Sequence, residues 1–505
     1  MDFAESARDL TMGWTRRLKM RQNPARADPP EPDIRTAWQY CTAYFEESYD
    51  AVFGVISRPA FEARLRSHFQ HHVSAEEDTS WYALRNTVYA SGCRIVLSKE
   101  HSVTFSAAQA QSWQYFENAL SVLTDLQFSS TGLSAVQALI VMTFYVEGLG
   151  NPALEYMLCA NAARLAQARG LHRQPSKSWK LPETEILQRN WLFWTVYCVE
   201  KLIAYRSGRP SAIEDDDITC QLPTIVVLES AMDLDVLTAY VQHAQISSMI
   251  SRRLFSAKSF QQSPSALIQT AQELSQRLQH WRDSLPAMLQ TNKIIKSAEL
   301  PRNVQVLHVV KVRFLYCGSL MAIHTIFAYP WISAMFGNSQ NQALGNQILI
   351  SSNSIAEAAR SLILAVRYIN IDAATPQWSA FYYPMIGLIN LFIYILKFPG
   401  QASAVSDVAL LDVVTGHFGH MEFVTSSELR FGFAREAAAL AHATVKRARQ
   451  KTYESPTPLP PLIDRNLSVA DVDAFQESGN FEANDFDMES WNIFSSGAMD
   501  GLQYD

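Results

Sequence analysis

Gly148-Leu149-Gly150-Asn151-Pro152-Ala153 is a stretch whose residue types and spacing offer a chemistry. It fits G-x-G-x-x-A, in which glycines let the backbone approach a pyrophosphate held at a helix N-terminus. That chemistry also needs a second strand after the helix, ending in an acid for the ribose. Here the helix runs instead into Leu171-His172-Arg173-Gln174-Pro175-Ser176, which is no buried strand. The six residues therefore read as a turn between two helices.

Glu214-Asp215-Asp216-Asp217 is the next candidate, since paired acids serve acid–base chemistry or bind a hard cation. No calcium-loop spacing and no partner histidine accompany it, so it reads as a solvated loop. His68, His71 and His72 place two imidazoles on one helix face, but no further ligand follows at a zinc spacing. The six cysteines, Cys41, Cys93, Cys159, Cys198, Cys220 and Cys317, include no C-x-x-C pair and read as small buried apolar residues. G-x-S-x-G, the P-loop and H-E-x-x-H are absent from the sequence. The expectation is no metal, no cofactor and no catalytic residue.

The helices that would position these residues are legible. Leu133 to Val146 is almost continuously apolar. Asn151 suits a helix N-cap and Pro152 the first helical position, where only an orphan donor is lost. Leu154, Leu158, Ala162 and Leu165 form the buried stripe of that helix, and Gly170 ends it. Pro182, Glu183 and Glu185 open the next helix with acids at the positive end of its dipole. Leu187, Trp191, Trp194, Cys198, Leu202 and Tyr205 then lie on one face. Phe193, Val196 and Ile203 add a second, so the helix is predicted to be deeply buried. Ala380 to Leu396 is an apolar run shorter than the roughly 20 residues that span a bilayer, and it reads as a core helix.

Apolar residues make up 48% of the 505 and charged residues 18%, so a large core can form and global disorder is excluded. Helical spacing runs through 34–450 without strand alternation, which predicts an all-α body. A net charge of −7 excludes a chain that coats nucleic acid along its whole length. The chain opens polar and acidic at Met1-Asp2-Phe3-Ala4-Glu5 and shows no secretory leader. The expected compartment is reducing, cytosol or nucleus.

Prolines 24, 29, 30 and 32, and then 456, 458, 460 and 461, read as linkers that flank the body. Residues 1–33 carry Arg16, Arg17, Lys19, Arg21 and Arg26: a nuclear-import signal, a weak phosphate-binding arm, or an ordinary solvated basic stretch. Residues 451–505 combine the second linker with a tail. From Asn466 onward there are nine acids, no Lys or Arg, and six aromatics, among them Phe481, Phe486, Trp491 and Phe494. That is the composition of a disordered, amphipathic activation segment, with an inert solubilising tail as the alternative.

The body resembles the fungal-specific transcription factor domain, the regulatory middle region of zinc binuclear cluster regulators. The resemblance is strongest over 130–223. Ser134-Ala135-Val136-Gln137-Ala138-Leu139 is similar to the family's S-x-x-x-Q-A-L helix. Ala162 to Gln167 with Gly170-Leu171-His172-Arg173 resembles A-x-R-L-A…G-L-H-R. Glu185 with Arg189-Asn190-Trp191-Leu192-Phe193-Trp194 resembles E-x-x-R-R-x-W-W. Gly208-Arg209-Pro210, Ile213, Asp217-Ile218 and Leu222-Pro223 resemble the closing G-R-P…I-x-D-x-D-I…L-P, with Glu200 nearest the family's signature aspartate.

The resemblance implies an all-α regulatory domain, a nuclear protein and control of transcription, in a family whose members often sit in specialised-metabolite gene clusters. The matched residues Gly170, His172, Arg173, Trp191, Trp194, Gly208, Arg209 and Pro210 also read physically as fold builders, with Arg209 expected to pair with Asp215, Asp216 or Asp217. The family's zinc cluster has six close cysteines, and none precedes Cys41 here. DNA contact is therefore expected to be weak or indirect, through a DNA-binding partner protein or family member. The tail would meet the transcription machinery. A small-molecule effector is compatible with the body, and no membrane is expected. The rival reading is a helical small-molecule-binding protein or enzyme whose site forms only in three dimensions.

Overall fold

The computed structural model describes residues 31–70, 78–128, 132–226, 233–290, 294–329, 342–427 and 429–454. The basic segment at 16–26, the proline break at 456–461 and the tail with Phe481, Phe486, Trp491 and Phe494 lie outside the described residues, as do His71 and His72. Among the described residues there are fifteen α-helices and no strand, so the all-α expectation holds.

Local chemistry sets the helix ends. Asp33 caps α1 (Ile34–Glu47), Thr104 caps α4 (Phe105–Ser121) and Asn151 caps α7 (Pro152–Ala168), each by accepting orphan backbone N–H groups. Helix α7 ends at Gly170, whose φ is +65°. There Leu171 N–H reaches the Ala166 carbonyl and Gly170 N–H the Gln167 carbonyl, a Schellman closure. Gly208 closes α8 (Glu183–Ser207) in the same way at φ +64°, with Arg209 N–H on Ala204. Nothing lies within 4 Å of where a Gly170 Cβ would stand, so the left-handed backbone is the requirement there, not room.

Two apolar cores share one helix. The first is built from α1, α2 (Arg58–Gln70), α3 (Thr79–Ser98), α4, α5 (Leu123–Phe128), α6 (Leu133–Glu147), α7, α8, α9 (Leu234–Leu254) and α10 (Pro264–Ser284). The second is built from α12 (Gln342–Ala365), α13 (Gln377–Lys397), α14 (Ala404–Val424) and α15 (Gly432–Glu454). Helix α11 (Val306–Ala328) serves both. Its Val309, Val312 and Ile323 belong to the first core, and its Val310, Phe314 and Met321 to the second. That double duty explains why α11 is apolar all round.

Helices α11, α12 and α13 are long and apolar enough to cross a membrane by composition. In α11 and α13, 67% and 78% of the apolar window is buried inside the protein, against the other helices. Helix α13 is longer than the apolar run read from sequence, because Gln377 and Lys397 extend it at either end. Lys397 Nζ is retained there by the Ala328 carbonyl at 2.8 Å and Ser352 Oγ at 3.2 Å.

Candidate functional site

The motif residues of 130–223 converge on one frame around α8. Gln137 Nε2 donates to the Val55 carbonyl at 2.7 Å, and Gln167 Nε2 to the Ala212 carbonyl at 3.1 Å. Glu200 accepts Ala212 N–H at 2.6 Å and Ser211 Oγ–H at 2.7 Å, which fixes the chain after Pro210. The His172 carbonyl accepts both Thr219 and Cys220 N–H, at 2.9 and 3.0 Å. Trp194 Nε1 donates to the Gln221 carbonyl at 3.0 Å and Trp191 Nε1 to Ile225 at 3.4 Å. Both indoles are buried, while Pro210 is exposed. Each of these polar tips satisfies loop backbone, so the frame builds a loop and presents no reacting group.

The acidic run is not a cation site. Asp215 pairs with the buried Lys201 at 3.0 Å and accepts from Tyr197 and Ser248 at 2.8 and 2.5 Å. Burial pushes the Asp215 carboxyl upward, but the Ser248 hydrogen bond and the Lys201 charge outweigh it and hold it low. Arg173 reaches Asp217 at 3.3 Å, and Arg252 reaches Glu214. The partner expected from sequence, Arg209, turns the other way. It follows the Schellman turn and lies over the Tyr156 ring of α7 at 4.5 Å. Lys201, two turns earlier in α8, takes its place.

The dinucleotide-like hexamer joins α6 to α7, so a helix stands where that fingerprint needs a strand. All six cysteines are buried and unbridged. Among the described residues, no group of three or more His, Cys, Asp or Glu could hold a metal ion.

A second polar cluster escaped the sequence reading. Glu147 of α6 meets Lys311 of α11 at 2.7 Å, and Glu155 of α7 meets Arg206 of α8 at 2.6 Å. All four side chains are almost wholly inside the protein. Lys311 Nζ also reaches Ser379 Oγ of α13 at 3.3 Å and lies 5.9 Å over the Tyr383 ring. The two acids balance the two bases, as burial demands. Burial drives both carboxyl groups upward. At Glu147 the charges of Lys311 and Arg206 outweigh that drive, while at Glu155 burial prevails. The only signal in the sequence is a charge inside an apolar run, as Lys311 is inside Val309-Val310-Lys311-Val312.

The frame around α8 lies inside a span that matches a known family. The family described as "Fungal specific transcription factor domain" matches residues 42–295, half of the chain. The chain belongs to this family. In the fungal-specific transcription factor domain the matched span ends within the first core, before α11.

Relatives align further. An "ABC-transporter-regulating transcription factor" of Aspergillus fumigatus is 29% identical over 427 residues, covering 81% of this chain and 47% of the relative. The "Fusaridione A cluster transcription factor fsdR" of Fusarium heterosporum is 24% identical, over 76% of this chain and 71% of the relative. The "Lactose regulatory protein LAC9" of Kluyveromyces lactis is 26% identical over 48% of this chain and 26% of the relative. The chain spans about half the length of the Aspergillus protein it matches.

Proposed function

We propose that the chain is a transcription regulator, or a co-regulator, whose helical body is the regulatory domain. The observation that carries this reading is the family match over 42–295, with relatives named as transcription factors. The frame around α8 supports a regulatory rather than a catalytic role, because its polar groups are consumed in holding loops. DNA targeting is assigned to a module outside these residues or to a DNA-binding partner protein, since the 505 residues hold no close cysteine cluster. The protein acts in the nucleus. Its targets are genes of the kinds its relatives are named for, a specialised-metabolite cluster or a transporter.

The test is a fusion of residues 1–505 to a foreign DNA-binding domain, read on a reporter carrying that domain's site. The reporter should change severalfold relative to the DNA-binding domain alone. The unfused chain should select no DNA motif from random duplexes at physiological salt, and any weak binding should decay steeply as salt rises. A silent reporter together with a cytosolic tagged chain sinks the reading.

A further inference from the structure

A cavity of about 330 Å³ lies where α3, the end of α6, the start of α11 and the 368–376 loop meet. That volume is at the lower end of small-molecule sites. Its walls mix apolar groups, among them Phe144, Val306 and Ile369, with charged ones.

Arg94 of α3 lines this cavity and is only 6% exposed. Its Nη1 donates to the Tyr145 carbonyl at 3.3 Å, and the guanidinium lies 4.6 Å over the Tyr145 ring. Nε has no hydrogen-bond partner. Among the described residues no carboxylate comes within 4.0 Å of Arg94. Gly148 makes the placement possible: a Cβ there would stand 2.3 Å from Nη2. An arginine cannot shed its proton to escape burial, so an unmatched guanidinium in this position is costly. Burial indeed lowers its affinity for the proton.

The acids around the cavity are already engaged. Asp50 accepts from Tyr44 at 2.6 Å and from Ser48. Asp372 accepts Ala374 and Thr375 N–H at 2.8 Å each. Glu147 is held by Lys311, and Glu47 by Lys99 at the rim. None of these acids forms an ion pair with Arg94, although the charges of Asp50 and Asp372 act on it at longer range.

We propose that the cavity is a binding site for a small organic monocarboxylate, with Arg94 as its counter-charge and the apolar wall holding its body. The planar fork of a guanidinium matches a carboxylate. A dianion such as phosphate is disfavoured, because Glu47, Asp50, Glu147 and Asp372 line the cavity against only Arg94 and Lys99. The inference deepens the regulatory reading by naming the class of effector, but binding itself does not depend on transcription.

The experiment uses the purified full chain, titrated calorimetrically with benzoate and pentanoate. Benzyl alcohol and pentanol serve as neutral counterparts, and inorganic phosphate as the dianion. At least one carboxylate should bind about tenfold more tightly than its alcohol and than phosphate, a difference of about 1.4 kcal/mol. Arg94→Lys, which keeps the charge and loses the fork, should weaken it about tenfold. Ala374→Trp, which puts a large side chain on another residue of the lining, should abolish binding in a chain that melts like the parent, which keeps the test decisive if Arg94→Lys does not fold. No saturable binding of either carboxylate, equal binding of the alcohols, tighter phosphate, or binding undisturbed by Ala374→Trp overturns the proposal. A reporter that responds while these titrations fail leaves the regulator standing without this site; the reverse leaves the site without the regulator.

Discussion

Glu147 and Lys311, 164 residues apart in sequence, meet at 2.7 Å inside the protein. Glu147 ends a helix of the first core, and Lys311 belongs to the helix that both cores share. Ser379 and Tyr383 of the second core complete the surroundings of the lysine. The pair therefore reports on how the two cores are seated against each other.

Breaking it from one side should be severe. Lys311→Met leaves the Glu147 carboxylate buried without its nearest base, and the expected loss is about 3–5 kcal/mol. Glu147→Gln with Lys311→Met together should cost less than the sum of the singles, because neither charge is then stranded. Urea unfolding of the four proteins measures both statements. Additive losses would show that the two side chains do not depend on each other.

Acidification should act chiefly through three buried histidines. Burial lowers His243, His308 and His324 from 6.5 to about 4. His308 shows why: Nδ1 accepts Gln305 N–H at 2.9 Å while Nε2 donates to the Tyr49 carbonyl at 2.8 Å, so a second proton has no place. The sign follows from linkage. A histidine whose folded value is depressed contributes stability that is complete above 6.5 and is lost as pH falls from 6.5 towards 4, where the unfolded chain binds more protons. Each such histidine is worth roughly 3 kcal/mol across that window. The melting temperature should hold between pH 7 and pH 8 and drop steadily below about 6.5. In His308→Gln that slope should be visibly shallower; an unchanged slope excludes His308 as a contributor.

Trp194→Ala should cost about 3–5 kcal/mol, the range for truncating a large buried aromatic. The indole is 5% exposed, and it also holds the Gln221 carbonyl. Trp194→Phe keeps most of the volume and loses that hydrogen bond, so its cost should be clearly smaller. Soluble yield and thermal melting check the order. A Trp194→Ala chain that melts with the parent removes Trp194 from the core.

What could be read from the sequence was what is decided locally. Asn151, Pro152 and Gly170 bound α7, and Pro182 opens α8, because capping depends on a few neighbouring residues. The burial of α8 followed from its two apolar faces. The buried charges did not follow, since nothing near Lys311 in sequence announces a partner 164 residues away. Arg209 shows a subtler failure. Its nearness to Asp215 in sequence suggested a pair, but the left-handed turn at Gly208 directs it over Tyr156 and leaves the acid to Lys201. Arg94 was overlooked for the same reason as Lys311: a charge among apolar helix residues is informative only once its surroundings are known.

The last prediction concerns the tail, residues 466–505, whose warrant is compositional. Nine acids, no bases and six aromatics follow a proline-rich break. In an activation segment of this composition, repulsion among the acids would oppose collapse and leave the aromatic side chains to a partner groove that can bury them. An inert solubilising tail needs the acids but has no use for the rings. Two sets of variants separate these alternatives in the tail fused to a foreign DNA-binding domain. Replacing Phe481, Phe486, Trp491 and Phe494 with Ala keeps every charge and should abolish activation of the reporter. Converting the acids to their amides keeps every ring and should weaken activation less sharply, through collapse and slower encounter with the partner. If the fusion never activates, or activates equally well without the four aromatics, the tail serves solubility and the activating surface has to be sought on the helical body.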